Sequence, residues 1–334
     1  MVWLKIAGRF RRIACTAAAL VMTFSAAYAY GENTVMVSPE PPAPERDLRP
    51  TAAPTAEPDR IVIDHITYPD IYPDFAFSAD DKLLDIWFPS IKDADETILM
   101  YDGEVWMIDC GDMRAAERGL SLLKYLGITR ISKIINTHPH HDHLDGLAMT
   151  DEAAKVAELW MCFPAEETES GMRATETSSE RGITLRTYGD GDVLTMGDGA
   201  VTLEIWMAQG EQLDMNARSA QVMVRFGQRS MLFMADMEYK GQIALMTQID
   251  PDELACDIFK YPHHGKNAMH DEFFEALHAQ LAIVTAYKRS DQGQQYLRSK
   301  RMPIAFTAKE GMYLHLQTNG KYWLCEYVPA SETK

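Results

Sequence analysis

The sequence has few cysteines and few basic residues for a chain of 334 residues. Its cysteines are Cys15, Cys110, Cys162, Cys256 and Cys325. The last four lie in or beside apolar, strand-like runs, which indicates buried free thiols rather than a disulfide framework, although one pair would also be compatible with a bridge. The 32 Lys and Arg against 49 Asp and Glu leave a net charge of −17. This excess of acid disfavours long-range capture of nucleic acid but allows a local basic patch.

A long apolar run lies at the N-terminus. Residues 1–12 carry basic side chains and no acid, and residues 13–29 are apolar or small. Ala27-Tyr28-Ala29 places alanines at the two positions that signal peptidase reads, so residues 1–29 are predicted to be a signal peptide. An N-terminal membrane anchor is the alternative, because the run approaches the ~18 residues that can span a bilayer. Cleavage would change the net charge from −17 to −21, since it removes four basic residues and no acidic one. Those four residues are Lys5, Arg9, Arg11 and Arg12.

A proline-rich stretch follows the apolar run. Residues 30–60 contain seven prolines, namely Pro39, Pro41, Pro42, Pro44, Pro50, Pro54 and Pro58. Such a segment cannot bury a core and is predicted to be a disordered, semi-rigid linker. Residues 61–330 remain for one globular domain. The arrangement predicts an extracytoplasmic protein that is secreted or anchored at the outer face of the cytoplasmic membrane.

Histidine is scarce and clustered. Six of the ten histidines lie in two short groups, and residues 144–262 contain none. The first group is the run His138-Pro139-His140-His141-Asp142-His143, which contains the pattern His-x-His-x-Asp-His. Imidazole suits Zn, Fe and Mn, and a carboxylate adds charge for a second ion. A strand-like segment precedes the run and a helix-like segment follows it, which predicts a loop on which these side chains converge.

Three further segments end in residues that can bind metal. Residues 254–260 resemble a strand and lead to His263-His264-Gly265, while an apolar run ends at Asp236 and another at Asp109. A carboxylate at the end of a buried strand is costly unless something pairs with it, and a bridging metal would supply that partner. A helix cap is the alternative role for Asp236.

These four elements, in this order, resemble the metallo-beta-lactamase superfamily. The closer resemblance is to the soluble hydrolase-like domain of ComEC-type competence proteins and their free-standing relatives. It is carried by Asn216-Ala-Arg-Ser219 with the strand that follows, by the hairpin that ends in Asp236, and by residues 257–265. It covers roughly residues 83–327.

The resemblance implies an α/β fold, the αβ/βα sandwich in which two mixed sheets pack face to face with helices outside. It implies one or two zinc ions, with Mn or Fe as alternatives, and these six ligands: His138, His140, Asp142, His143, Asp236 and His263. His138 and His140 would hold one ion and Asp236 would bridge to the second. The catalytic residues expected are Asp142, Asp236 and His264, and His264 is also the alternative to His263 as ligand. The residues expected to orient the metal loop or contact substrate are Asp109, Asn216, Ser219 and Lys266.

The sequence departs from the superfamily in one respect. Many members give the first metal a third histidine from a strand between the two clusters, and here Asn216 and Ser219 occupy that region. The first metal site is therefore predicted to be poor in ligands. Lys266 also replaces a serine that is frequent in the competence group, and a Gly-His-Pro phrase frequent near residues 292–296 is missing.

The predicted function is that of an exported metal-dependent hydrolase, a phosphodiesterase or nuclease-like enzyme that uses a metal-activated hydroxide. Its substrate would be a phosphodiester or other small molecule, including short or single-stranded nucleic acid. One alternative is a hydrolase of a lactone, a beta-lactam or another ester or amide, which the missing histidine disfavours. The other is a non-catalytic binding module that has kept the fold. A membrane tether through the N-terminal segment is expected, and no protein partner is inferred.

Overall fold

The computed structural model describes residues 66–67 and 76–330. The predicted signal peptide or anchor and the predicted linker lie outside these residues and stay predictions. Within the described residues, no helix is both long and apolar enough to cross a membrane.

The described strands form two sheets. In chain order they are β1 (Ile66–Thr67), β2 (Leu84–Phe88), β3 (Glu96–Tyr101), β4 (Glu104–Cys110), β5 (Arg130–Asn136), β6 (Lys155–Met161), β7 (Thr184–Thr187), β8 (Val193–Met196), β9 (Val201–Trp206), β10 (Gln221–Phe226), β11 (Arg229–Phe233), β12 (Ile258–Lys260), β13 (Leu281–Val284), β14 (Ile304–Phe306), β15 (Met312–Thr318) and β16 (Trp323–Pro329). The first sheet has the order β1-β16-β15-β2-β3-β4-β5-β6-β7, and the second β14-β13-β12-β11-β10-β9-β8. Both sheets are mixed, because β4 to β7 and β11 to β14 run parallel while β2 to β4 and β8 to β11 run antiparallel.

Helices connect the parallel strands. They are α1 (Met113–Tyr125), α2 (His141–Leu144), α3 (Leu147–Ala153), α4 (Glu169–Arg181), α5 (Tyr239–Met246), α6 (Asp271–Ala276) and α7 (Gln292–Ser299). Helix α1 begins after Asp112, whose carboxylate accepts hydrogen bonds from the backbone N–H groups of Arg114 and Ala115. Such a cap satisfies donors that the first helical turn leaves free.

Side chains that alternate between the two faces of each strand allow both sheets to pack on each other and on helices, which gives four layers. In β2, Leu84 and Phe88 enter the core between the sheets, while Trp87 points to the opposite, helix-covered face. Phe88 packs on Phe233 of the other sheet, with ring centroids 6.3 Å apart. Two outer cores hold the helices, one with Leu122 and Leu147 and the other with Leu245, Phe273 and Leu297. This arrangement is the αβ/βα sandwich predicted from the sequence.

Several elements follow the predicted pattern, and a few differ. The sequence predicts strands at Val201–Trp206 and Gln221–Phe226 and a helix at Tyr239–Met246, and the structure has the same bounds. The segment before the second histidine cluster is a strand only from Ile258, because residues 251–254 form a short 3-10 helix. The ligand run is a loop only up to His140, since Asp142 and His143 lie within α2. The cysteines of the described part are free thiols.

Candidate metal centre

The candidate ligands lie at one edge of each sheet. His138 follows β5, Asp236 follows β11 and His264 follows β12, while Asp109 lies near the end of β4. Strands β4 and β5 are parallel neighbours in one sheet, as are β11 and β12 in the other. Because the carboxyl ends of parallel strands meet at the same edge, segments far apart in sequence converge here.

Four side chains form the compact part of the site. Asp142, His143, Asp236 and His264 each place one ligand atom so that all four atoms lie within 4.8 Å of one another. The separation is 3.3 Å between His143 Nε2 and Asp236 Oδ1, and 3.2 Å between His264 Nε2 and Asp142 Oδ2. Ligand atoms around a tetrahedral zinc ion, with bonds of 2.0–2.2 Å, are about 3.3–3.6 Å apart. His143 Nε2 and Asp236 Oδ1 are both buried without a hydrogen-bond partner, so the residues fit a divalent ion.

The second oxygen of Asp236 faces a looser group. Asp236 Oδ2 lies 4.0 Å from His138 Nε2 and 3.7 Å from His263 Nε2, and His138 Nε2 lies 3.0 Å from His140 Nδ1. The two carboxylate oxygens of Asp236 thus face different imidazoles, as the predicted bridging role requires. Among the described residues, His138, His140 and His263 belong to no group of three ligand atoms within 4.8 Å. The ligand-poor first site stays a prediction.

The two histidines of the second cluster have different environments. Both adopt left-handed backbone conformations, with φ of 49° at His263 and 53° at His264, so consecutive side chains turn toward the same centre. His264 is fully buried inside the compact group, whereas the side chain of His263 is 19% exposed and its Nδ1 lies 3.1 Å from Glu238 Oε1. The geometry favours His264 in the ligand position and His263 at the rim, the reverse of the preference drawn from the sequence. Both roles stay predictions.

Asp109 anchors the first ligand segment. Its carboxylate accepts hydrogen bonds from the Thr137 backbone N–H at 2.8 Å, the Thr137 hydroxyl at 2.7 Å and the Asn136 side-chain amide at 3.0 Å. It also lies 2.7 Å from His143 Nδ1. A carboxylate on the far nitrogen of a ligating histidine sets the orientation and basicity of the ring, so the position suits the predicted orienting role.

A corresponding anchor for His264 was missed by the sequence reasoning. Asp95 Oδ1 lies 3.2 Å from His264 Nδ1 and accepts a hydrogen bond of 2.8 Å from the Thr285 hydroxyl, while Oδ2 forms an ion pair with Lys260. Lys260 Nζ also donates to the carbonyl of Ala235 at 2.9 Å. The available signal was a lysine within the apolar strand that precedes the second cluster, because a buried ammonium group needs a partner.

The electrostatics of the cluster suit a cation. Burial lowers the pKa of His138 well below its ordinary value. Burial also acts to lower the pKa of His143, but Asp236 and Asp109 outweigh it and raise that pKa well above its ordinary value. Burial acts to raise the pKa of Asp236, yet His264 and His143 hold it well below the ordinary value. The carboxylates therefore retain imidazolium protons, which a divalent ion would displace because metal ligands are deprotonated.

The remaining predicted residues surround this centre. The segment 216–219 adjoins the ligand loop, since the N–H of Ala220 donates to the carbonyl of Thr137 at 2.9 Å. Asn216 Oδ1 and Ser219 Oγ are buried there, and neither has a hydrogen-bond partner among the described residues. Lys266 continues the His263-His264-Gly265 turn and lines an open pocket with Arg289. His141 points outward with 70% of its side chain exposed.

The chain is similar to several solved structures at low sequence identity. The YhfI protein of Bacillus subtilis, a metallo-beta-lactamase fold protein, is 11% identical with a TM-score of 0.46, over 69% of this chain and 98% of that one. A diphosphatase of the PhnP family is 14% identical with a TM-score of 0.42, over 70% and 98%. The diiron beta-hydroxylase CmlA of Streptomyces venezuelae is 13% identical with a TM-score of 0.43, over 68% of this chain, which spans only 53% of that protein. No curated protein matches the sequence.

The family model of the metallo-beta-lactamase superfamily matches residues 97–279, more than half of the chain. The matched range begins in β3 and includes the ligand run, Asp236 and the two histidines at 263 and 264. The match confirms the predicted fold and the predicted class, a metal-dependent hydrolase. On these grounds the chain belongs to the metallo-beta-lactamase superfamily.

Proposed function

We propose that this chain is an exported phosphodiesterase that hydrolyses phosphodiesters at a mono- or dinuclear metal centre, with short or single-stranded nucleic acid among its substrates. The observation that carries the proposal is the position of Asp236. Its two oxygens face two groups of imidazoles, one compact and one loose. This arrangement supports one firmly held ion and a second that is held more weakly.

The residues of the centre would have distinct roles in this reaction. Asp142, His143, Asp236 and His264 would hold the firm ion, and His138 with His140 would hold the weaker one. A bound divalent ion would supply a nucleophilic hydroxide at neutral pH and neutralise charge that develops on the phosphoryl group. Asp109 and Asp95 would keep the rings of His143 and His264 oriented, and His263 with Glu238 lies at the rim of the centre.

Basic side chains near the centre support an anionic substrate. Lys266 and Arg289 line a pocket beside the His263-His264-Gly265 turn. Arg289 is paired with Asp93 and Asp291, whereas no carboxylate of the described residues pairs with Lys266. Lys266 is therefore the freer cation for a phosphate. The net charge, −17 for the full chain and −21 after loss of the four basic residues of the signal, predicts weak, salt-sensitive binding of nucleic acid.

A substrate panel tests the proposal. The purified protein is loaded with Zn or Mn, its metal content is measured, and it is offered a generic phosphodiester, a labelled single-stranded oligonucleotide, a lactone and a beta-lactam. We expect metal-dependent cleavage of the two phosphodiesters, with loss on chelation and recovery on readdition of metal. Cleavage of the lactone or the beta-lactam alone would replace the proposal with the other hydrolase class.

Export is the other part of the proposal. It rests on the basic start, the apolar run, the Ala27-Tyr28-Ala29 site and the proline-rich spacer of the sequence. Cell fractionation with N-terminal sequencing of the product tests it. We expect the protein outside the cytoplasm, and a mature N-terminus at Tyr30 if the signal is cleaved. An intact cytoplasmic chain would refute export and leave the chemistry unaffected.

A further inference from the structure

A second pocket lies beside the segment that carries Asp95 to the metal centre. Its volume is about 480 Å³, and none of its residues was predicted as part of the site. It is lined, among others, by Ser90, Lys92, Arg118, Tyr287, Glu310 and Tyr313. A pocket of this size with an apolar wall and a few polar groups is typical of a small-ligand site.

The charges in this pocket favour an anion. Lys92 and Arg118 are exposed, and among the described residues no carboxylate pairs with either of them. Arg118 donates one hydrogen bond to the carbonyl of Ser90, which leaves most of its five donors available. Glu310 is the acidic residue of the lining. The lining thus has one acidic side chain and two basic side chains without a carboxylate partner in the described part of the chain. The whole chain, in contrast, has 49 acidic and 32 basic residues.

The pocket also presents an aromatic ring. Tyr287 is 43% exposed, and the ammonium group of Lys92 lies 5.1 Å from the centre of its ring. Planar heterocycles stack on such rings, and the adjacent cation suits a phosphate attached to the heterocycle. The chemistry therefore matches a nucleoside phosphate better than inorganic phosphate or an aliphatic acid.

Two segments connect this pocket to the metal centre. Thr285 Oγ1 lies 3.0 Å from His264 Nδ1, and Tyr287 follows two residues later, at most about 7 Å along an extended chain. On the other side Lys92 precedes Asp95 by three residues, and the Asp95 N–H donates to the carbonyl of Asp142 at 3.0 Å. Short segments of chain, residues 285–287 and 92–95, therefore join the pocket to the metal centre.

We propose that this pocket is a subsite for a nucleoside phosphate portion of the substrate, in which Lys92 and Arg118 bind the phosphate and Tyr287 stacks on the base. The inference rests on the proposed phosphodiesterase function for its biological meaning. Binding to the pocket is nevertheless measurable without turnover, so the two ideas can fail separately.

Calorimetry with a phosphorothioate-linked thymidine dinucleotide, which resists hydrolysis, measures the binding. The variants are Lys92→Ala, Tyr287→Ala and Tyr287→Phe, and ribose 5-phosphate serves as the ligand without a base. Lys124→Ala, an exposed lysine of α1 outside the pocket, is the matched control. We expect Lys92→Ala and Tyr287→Ala to raise the dinucleotide Kd about tenfold, Tyr287→Phe and Lys124→Ala to leave it within about twofold, and ribose 5-phosphate to be insensitive to Tyr287→Ala.

Turnover measurements distinguish binding in the pocket from hydrolysis at the metal centre. In Lys92→Ala and Tyr287→Ala we expect KM for an oligonucleotide to rise while kcat for the small diester methyl 4-nitrophenyl phosphate stays unchanged. If the protein cleaves both substrates but these substitutions change neither the Kd for the dinucleotide nor the KM for the oligonucleotide, the subsite is refuted and the proposed function is retained. A protein that cleaves neither, but whose dinucleotide Kd responds as expected, would overturn the proposed function and keep the subsite.

Discussion

Lys260 and Asp95 form a buried ion pair that joins the two sheets beneath the metal-ligand cluster. Lys260 belongs to β12 of the second sheet, and Asp95 immediately precedes β3 of the first. Their side chains are only 3% and 7% exposed, respectively. The pair holds Asp95 where it contacts His264. In spite of burial, the charge of Lys260 keeps the pKa of Asp95 below its ordinary value.

Breaking this pair on one side should destabilise the protein strongly. Lys260→Met leaves the Asp95 carboxylate buried without its cation, and the expected loss in the free energy of unfolding is about 3–5 kcal/mol. The double variant Lys260→Met with Asp95→Asn should be less destabilised than the sum of the single variants, because no charge is then left uncompensated. Urea unfolding of the four proteins measures this, and strictly additive losses would contradict the pair.

The anchor at Asp109 should control metal binding more than folding. Asp109→Asn keeps the size of the side chain but removes the charge that orients His143. We expect a 10–100-fold loss of metal affinity, the range typical of carboxylates behind ligating histidines. Titration of the chelated protein with zinc measures the affinity. Asp145→Asn, a neighbouring carboxylate paired with Arg173 at the surface, is the control and should change the affinity little.

Substitutions in the compact group and in the looser group should differ in effect. His264→Ala and Asp142→Ala remove members of the compact group, so we expect loss of the firmly bound ion and a fall in activity of at least about 100-fold. His138→Ala should keep that ion and some activity, since it affects the looser group. Metal content per chain and turnover of each variant are measured together. If the parent protein holds two tightly bound ions and all three variants lose activity equally, the distinction between a firm and a weak metal site is rejected.

A histidine remote from the metal should make stability depend on pH. His315 stacks on Trp87 at 3.7 Å and lies 2.7 Å from Asp85 Oδ1 and 3.0 Å from Glu326 Oε1. Burial acts to lower its pKa, but the two carboxylates outweigh burial and raise it above the ordinary 6.5. The folded state thus binds the proton more tightly, so this stabilisation is fully present below about pH 6.5 and is lost as pH rises through the folded pKa.

The variant His315→Gln measures that contribution. The stability difference from the parent should be larger at about pH 6 than at about pH 9, because only the protonated ring attracts both carboxylates. His278→Asn is a matched control: His278 is exposed with φ of 47°, a conformation that asparagine tolerates. A pH-independent difference for His315→Gln would contradict the raised pKa.

A buried carboxyl group should have a related effect on pH dependence. Glu96 is 1% exposed and neither of its side-chain oxygens has a hydrogen-bond partner among the described residues. Burial raises its pKa well above 4.5, so the folded state keeps a proton that the unfolded state releases, and stability falls as pH rises above 4.5. Glu96→Gln should therefore be more stable relative to the parent at about pH 8 than at about pH 4.5. Thermal unfolding at both values, with exposed Glu117→Gln as control, tests this.

Much of the fold and the ligand set could be predicted because their signals are local. The strand-like run that ends at Asp109, the histidine run, the apolar run that ends at Asp236 and the second cluster are all properties of short segments. Periodicity of side chains determines which face of a strand or helix is buried. The order of these motifs indicated the family and the position of the site at the strand ends, and the resemblance to that family implied the layered architecture.

The sequence by itself thus determined the family and the ligand types, whereas only the tertiary structure decided how particular residues pair. His263 and His264 are neighbours with the same chemistry, and the left-handed turn, with the packing of β12 against β13, places His264 in the compact group. Asp95 and Lys260 are 165 residues apart, and only the stacking of the two sheets brings them together. Local propensity carries no information on contacts of that range, because they depend on how separate elements pack.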